Sequence, residues 1–168
     1  MFLKNYTSNV PVSETVHNIE KVLIKCGVSG IAKEYAAAPA GKIAAITFKI
    51  QPDPALPAIV IRLPVDEEAA LQALWLNYAD GDRLSKDGNS IEYNARKRKK
   101  KSEFKQQAER TAWKIVQDWV EIQLSMIQMK QADFLQVFLP YVWNGKQTYY
   151  AAIKENGGVR ALLPESTQ

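Results

Sequence analysis

His17 and Cys26 are the only imidazole and the only thiol in the chain, and they set the limits of its metal and nucleophile chemistry. A zinc site needs three or four ligands, so with one of each the usual zinc patterns are absent, and a nucleophile activated by an imidazole base would rest entirely on His17. No phosphate-binding loop, dinucleotide fingerprint, nucleophile elbow or HExxH helix is present. Carboxylates adjoin one another at Asp66, Glu67 and Glu68, and again at Asp118 and Glu121. Either set could hold a divalent cation, but the first reads as the start of a helix and the second as a solvated helix face. No catalytic residue, metal ligand or cofactor is therefore assigned, and the chain reads as non-enzymatic. What remains is a chemistry of charge. Residues 96–101 read RKRKKK, six consecutive cations. A phosphate backbone answers such a run, because releasing its counterions drives binding without base recognition.

The distribution of charge supports that reading. The formal net charge is +4, less than the six positive charges of Arg96–Lys101, so the rest of the chain carries −2. Basicity is thus concentrated in one segment. It is also placed at the N-terminal end of a helix, where cations are disfavoured by the helix dipole, and beside a rigid element that can present it to a flat target. The nucleic-acid contacts predicted are Arg96, Lys97, Arg98, Lys99, Lys100 and Lys101, extended by Arg110 and Lys114 along the helix. Tyr93 and Phe104 flank the run and could stack on unpaired bases, although Phe104 is better placed for the core. A solvated extension, an acidic protein partner, a nuclear localisation signal in a eukaryotic source and a membrane surface are the other readings of such a run. The last is the weakest, since no apolar face accompanies the charge.

The elements that must position these residues follow from periodicity. With 168 residues and 46 % apolar content, one domain over 1–168 with a real core is expected. NYTSNVP (5–11) reads as a short strand. Ser13 then caps a helix with Val16, Ile19, Leu23 and Cys26 in one stripe, and Gly27 ends it; Cys26 is expected as a core thiol. IAKEY (31–35) alternates, AAAPAG (36–41) turns, and KIAAITFKI (42–50) puts Ile46, Phe48 and Ile50 on one face. The three prolines of QPDPALP (51–57) make an irregular connection, and AIVIRLPV (58–65) is a third strand. Asp66 caps a second helix that turns Ala70, Leu71, Leu74, Trp75 and Tyr78 inward. The polar stretch from Ala79 leads into the basic run, so 79–101 is expected to be a mobile basic loop, with a hairpin at Asp87-Gly88 as the alternative.

The main helix runs over 102–129. On a wheel at about 100° per residue, Phe104, Ala108, Ala112, Ile115, Val116, Trp119, Val120, Ile122, Met126 and Ile127 fill one broad arc. Arg110, Lys114, Gln117, Asp118, Glu121, Ser125 and Gln128 fill the other. Trp119 and Ile115 are predicted to be nearly inaccessible, and Gln123 to be an amide within the apolar arc. FLQVFLPYVW (134–143) is a short helix broken by Pro140 and followed by an extended segment; TYYAAIKEN is a last short helix stopped at Gly157-Gly158. The class predicted is α+β: a small, mainly antiparallel sheet of three to four strands backed by helices, one of them long and central. No run approaches the roughly 18 to 20 apolar residues that span a bilayer, and the N-terminus lacks a signal-peptide pattern.

Four segments, YTSNVPVSETVHNIEKVLIKCGVSGIAKEY, IVIRLPV, AERTAWKIVQDWVEIQLSMIQ and FLQVFLPYVW, together resemble a group of small bacteriophage, prophage and mobile-element proteins. The AxRTAWKIVQDWVExQ and FLPY segments are the distinctive ones. The resemblance implies a cytoplasmic protein of a bacterial host cell, from gene neighbourhoods often concerned with DNA replication, recombination or conflict with the host; it carries over no catalytic residue. The function predicted is an accessory protein that binds DNA or RNA, single strands included, through the basic patch. The alternative is an anti-defence inhibitor that binds a bacterial protein complex handling nucleic acid.

Overall fold

The computed structural model describes residues 3–84 and 99–158, with the main chain alone over 79–84. They fall in two compact units, one from Met1–Asn18 and Val65–Trp119, the other from Ile19–Pro64 and Val120–Gln168. The class is α+β, with a three-stranded antiparallel sheet and several helices. Helices α1 (Val12–Lys25) and α3 (Lys105–Gln128) each contribute to both units. Among the described residues, no helix is long and apolar enough to cross a membrane.

In the second unit, β1 (Gly30–Tyr35), β2 (Ile43–Ile50) and β3 (Ile59–Arg62) lie in the order β1-β2-β3. The period-2 pattern sets the register: Phe48 stands opposite Ile31 on one side and Ile61 on the other, so one apolar face forms across all three strands. Ile46, Phe48 and Ile50 are buried, as their alternation predicts. The prolines at 52, 54 and 57 keep the connection to β3 irregular, with no strand or helix over 51–57. Beyond β3, the main chain of Trp143 donates to the Val60 carbonyl at 2.7 Å, which covers part of that outer edge. Helix α4 (Phe134–Phe138) starts at Asp133, whose carboxylate accepts from the Leu135 N–H. Its Phe138 meets Phe48 edge to face at 5.9 Å and stacks with Phe134 at 4.6 Å. A 3-10 turn at Leu139–Tyr141 holds Pro140, and α5 (Tyr149–Glu155) begins at the Thr148 cap.

Helix ends follow local chemistry. Gly27 takes φ 81°, its N–H donates to Ile24 and that of Val28 to Leu23, the paired bonds that close a helix on a left-handed residue. The same pair ends α3 at Lys130, a non-glycine residue at φ 57°. The beginning of α1 differs from expectation. It starts at Val12, and the carbonyl of Pro11 accepts from Glu14 and Thr15 at 3.1 Å each. Ser13 therefore lies inside the first turn and is not the cap. Cys26 is exposed, not in the core, because the stripe of Val16, Ile19 and Leu23 ends where the chain leaves the helix.

The first unit packs α2 (Glu67–Leu84) against the first part of α3 through Ala70, Leu71, Leu74, Ala108 and Ala112. Asp66 caps α2 by accepting from the Ala69 N–H at 2.8 Å, as its position predicts. Residues 79–84, expected in a loop, continue this helix; the loop and hairpin readings of 85–98 lie outside the described residues. Residues 5–11 do not form a strand. They make turns, with Ser8 N–H donating to Asn5 O, and polar side chains of α3 hold them: Gln107 donates to the Ser8 carbonyl and Thr111 to that of Asn5. Side-chain bonds here replace the ladder that a strand would need.

The apolar arc of α3 is turned from its predicted position. Trp113, which the wheel left unassigned, is fully buried, and Gln117, placed on the polar arc, is buried with it. Ile115 and Trp119 are only half-buried, Gln123 is also half-buried, and Ile122 is 51 % exposed. Apolar residues occupy more than half of the circumference, so the pattern leaves open which flank the neighbours cover.

Candidate nucleic-acid interface

Three of the predicted contacts, Arg96, Lys97 and Arg98, lie outside the described residues. The described end of the run meets the first unit where α2 and α3 present aromatic side chains to each other. Trp75 and Tyr78 sit one turn apart on α2, and Phe104 closes the 3-10 turn Lys101–Phe104 that leads into α3. No glycine or proline interrupts residues 101–128, so turn and helix form one continuous support. The three rings form a cluster, with centroids 5.2 Å apart for Tyr78–Phe104, 5.9 Å for Trp75–Tyr78 and 6.2 Å for Trp75–Phe104. Such spacings are those of favourable aromatic pairs.

The cations are tied to this cluster. The Lys99 main chain donates to the Tyr78 hydroxyl at 3.1 Å, and the Lys99 ammonium lies 5.7 Å from the centre of the Phe104 ring, within cation–π range. Lys100 is exposed, and its N–H donates to the Glu103 carboxylate at 2.7 Å. This answers the unfavourable position of the run: Glu103 satisfies a donor and places a negative charge at the helix start.

Lys101 donates to Glu68 at 3.2 Å and to Gln72 at 2.9 Å. Both charges of that pair are exposed, and pairs of this kind contribute only about 0 to 1 kcal/mol, so Lys101 can exchange its carboxylate for a phosphate. Lys114 is differently engaged. It pairs with Asp118 at 3.2 Å and donates to Gln117 at 3.1 Å, with about a quarter of its side chain open. Asp118 also accepts from Lys4 and Asn5. Burial alone would push the Asp118 carboxyl up; the bonds from Asn5, Lys4 and Lys114 outweigh it and hold the group below its ordinary value. Lys114 thus helps fasten the N-terminal segment to α3. Arg110 is half-buried.

The remaining candidates for chemistry are dispersed. His17 is exposed on α1. Partial burial of its sulfur pushes the Cys26 thiol up, opposite to what a nucleophile needs. Glu67 accepts from the Trp113 indole N–H at 3.2 Å. Among the described residues, no group of three or more His, Cys, Asp or Glu could hold a metal ion.

Sequence reasoning missed Tyr6, Asn77 and Gln107, which stand beside the aromatic cluster. Reading 5–11 as a strand hid Tyr6. A usable signal was present in α2, where Trp75 and Tyr78 at i and i+3 face the start of the basic helix. No family model, curated protein or solved structure matches the chain.

Proposed function

We propose that the protein is a phage or mobile-element accessory protein that binds nucleic acid without catalysis, through Arg96–Lys101. The observation that carries the reading is the anchoring of Lys99 on Tyr78 and Phe104, which joins the basic run to a folded aromatic surface. An extension serving only solubility has no need of such a tie. Lys114 is left out of the contact set because Asp118 and Gln117 hold it; Arg110 stays as a secondary contact. Concentrated cations on a rigid support suit the counterion-release mechanism, which favours phosphate backbones over any particular sequence.

The test is a salt series. With about three to five phosphates neutralised on a duplex, the slope of log K against log salt is near −3 to −4.5, and shallower on a single strand. Replacing Lys97, Arg98, Lys99 and Lys100 with Ala removes most of that slope and leaves the melting temperature nearly unchanged. Nucleic-acid binding unaltered in this variant would refute the phosphate role.

A further inference from the structure

We infer that a small cleft in the first unit receives one unpaired base of a single-stranded nucleic acid, while Lys99 and Lys100 take the adjoining phosphates. The inference rests on the reading above and adds where a base would go. The cleft has a volume of about 210 Å³ and is lined by Tyr6, Leu74, Asn77, Tyr78, Phe104 and Gln107. That is smaller than the ~300 to 1,000 Å³ of sites for drug-sized ligands, and it suits one flat ring system with the sugar and phosphate left outside.

The lining matches such a guest. Three of the six residues are aromatic and supply π-faces, on which any base can stack. Leu74 belongs to the buried core of the unit and makes an apolar floor. Asn77 brings an amide, whose paired donor and acceptor complement a base edge, and Gln107 brings a carbonyl oxygen that can accept from one. The Gln107 amide nitrogen is bonded to the Ser8 carbonyl at 3.0 Å and to the Thr111 hydroxyl at 3.3 Å, which fixes the orientation of the group.

Charge selects the occupant. Tyr78 and Phe104 line the cleft and also hold Lys99, the first through its hydroxyl and the second through its ring. A ligand seated against these rings therefore lies next to cations. An apolar peptide side chain would fill the cleft without using them. A base carried on a phosphodiester uses both, and only an unpaired base can leave its stack to enter. Duplex would meet the cations alone.

Fluorescence anisotropy with three labelled probes tests the inference: an oligothymidylate of about 12 nucleotides, an abasic phosphodiester of equal length, and a duplex. The oligothymidylate is expected to bind about 5- to 150-fold more tightly than the abasic strand, the range that stacking of a base on aromatic side chains supplies. Tyr6→Ala brings the two affinities together by about 5-fold or more without altering the salt slope, and Phe104→Leu, which also removes the ring that holds Lys99, narrows the same gap. Tyr6 is 46 % exposed, so its variant carries the test should Phe104→Leu lower the melting temperature. Equal affinity for the base-bearing and abasic strands, with a steep salt slope retained, overturns the base cleft and leaves the phosphate reading standing. An unaltered preference in Tyr6→Ala overturns it as well. Failure of all three probes to bind at low salt overturns both readings.

Discussion

Exchanging Trp113 for Ala decides which flank of α3 is the buried one. The indole is fully buried, and a Trp of this kind removes about 150 to 250 Å² from water. At ~25 cal/mol per Å² that area corresponds to roughly 4 to 6 kcal/mol. Partial collapse of the site brings the expected loss to about 3 to 5 kcal/mol, a large fraction of the total for a protein of this size. The variant also removes the indole N–H that Glu67 accepts at 3.2 Å; because Glu67 is only half-buried, water can replace that donor at small cost. Trp119 is half-buried, so Trp119→Ala gives up about half the area and is expected to cost roughly 2 to 3 kcal/mol. The assay is urea unfolding followed by far-UV circular dichroism, read as a midpoint shift at constant m-value. A midpoint for Trp119→Ala at or below that of Trp113→Ala would contradict the observed orientation of α3 and restore the predicted arc.

Further outcomes follow from the ion cluster and the helix ends. The depressed pKa of Asp118 adds stability above the ordinary aspartate value of 3.8, and this is lost as pH falls through the lower folded-state value. The stability difference between the protein and Asp118→Asn should therefore close on acidification from about pH 5 toward pH 2. A difference that stays constant across that window would contradict the role of the carboxylate charge. At the two left-handed helix ends, opposite substitutions should have opposite signs. Gly27→Ala meets no atom within 4 Å, so its cost is conformational, about 1 to 2 kcal/mol; Lys130→Gly should raise stability by up to about 1 kcal/mol, as thermal melts will show.

Much of the architecture was legible from local pattern. Period-2 alternation placed Ile46, Phe48 and Ile50 on the buried face of β2, and short-range chemistry placed Asp66 at the start of α2 and Gly27 at the end of α1. Pro140 marked the break after α4. These features depend on a residue and its neighbours within a turn or a strand, so the sequence determines them by itself. The concentration of charge at Arg96–Lys101 is likewise a property of sequence alone.

Other features needed partners distant in the chain. Residues 5–11 have strand-like composition, but Gln107 and Thr111, about a hundred positions away, satisfy their carbonyls instead. On α3, a wide apolar arc permits several faces, and only the packed neighbours select Trp113 and Gln117 for burial over Trp119 and Ile122. Lys114 looked like a free cation until Asp118, Lys4 and Asn5 were brought beside it. The cleft of Tyr6, Asn77, Tyr78, Phe104 and Gln107 joins three separate segments. Local energetics fix helix ends and strand faces because their interactions lie close along the chain; which half-apolar flank is covered, and which polar groups meet, depends on long-range packing, and only the tertiary structure decides it.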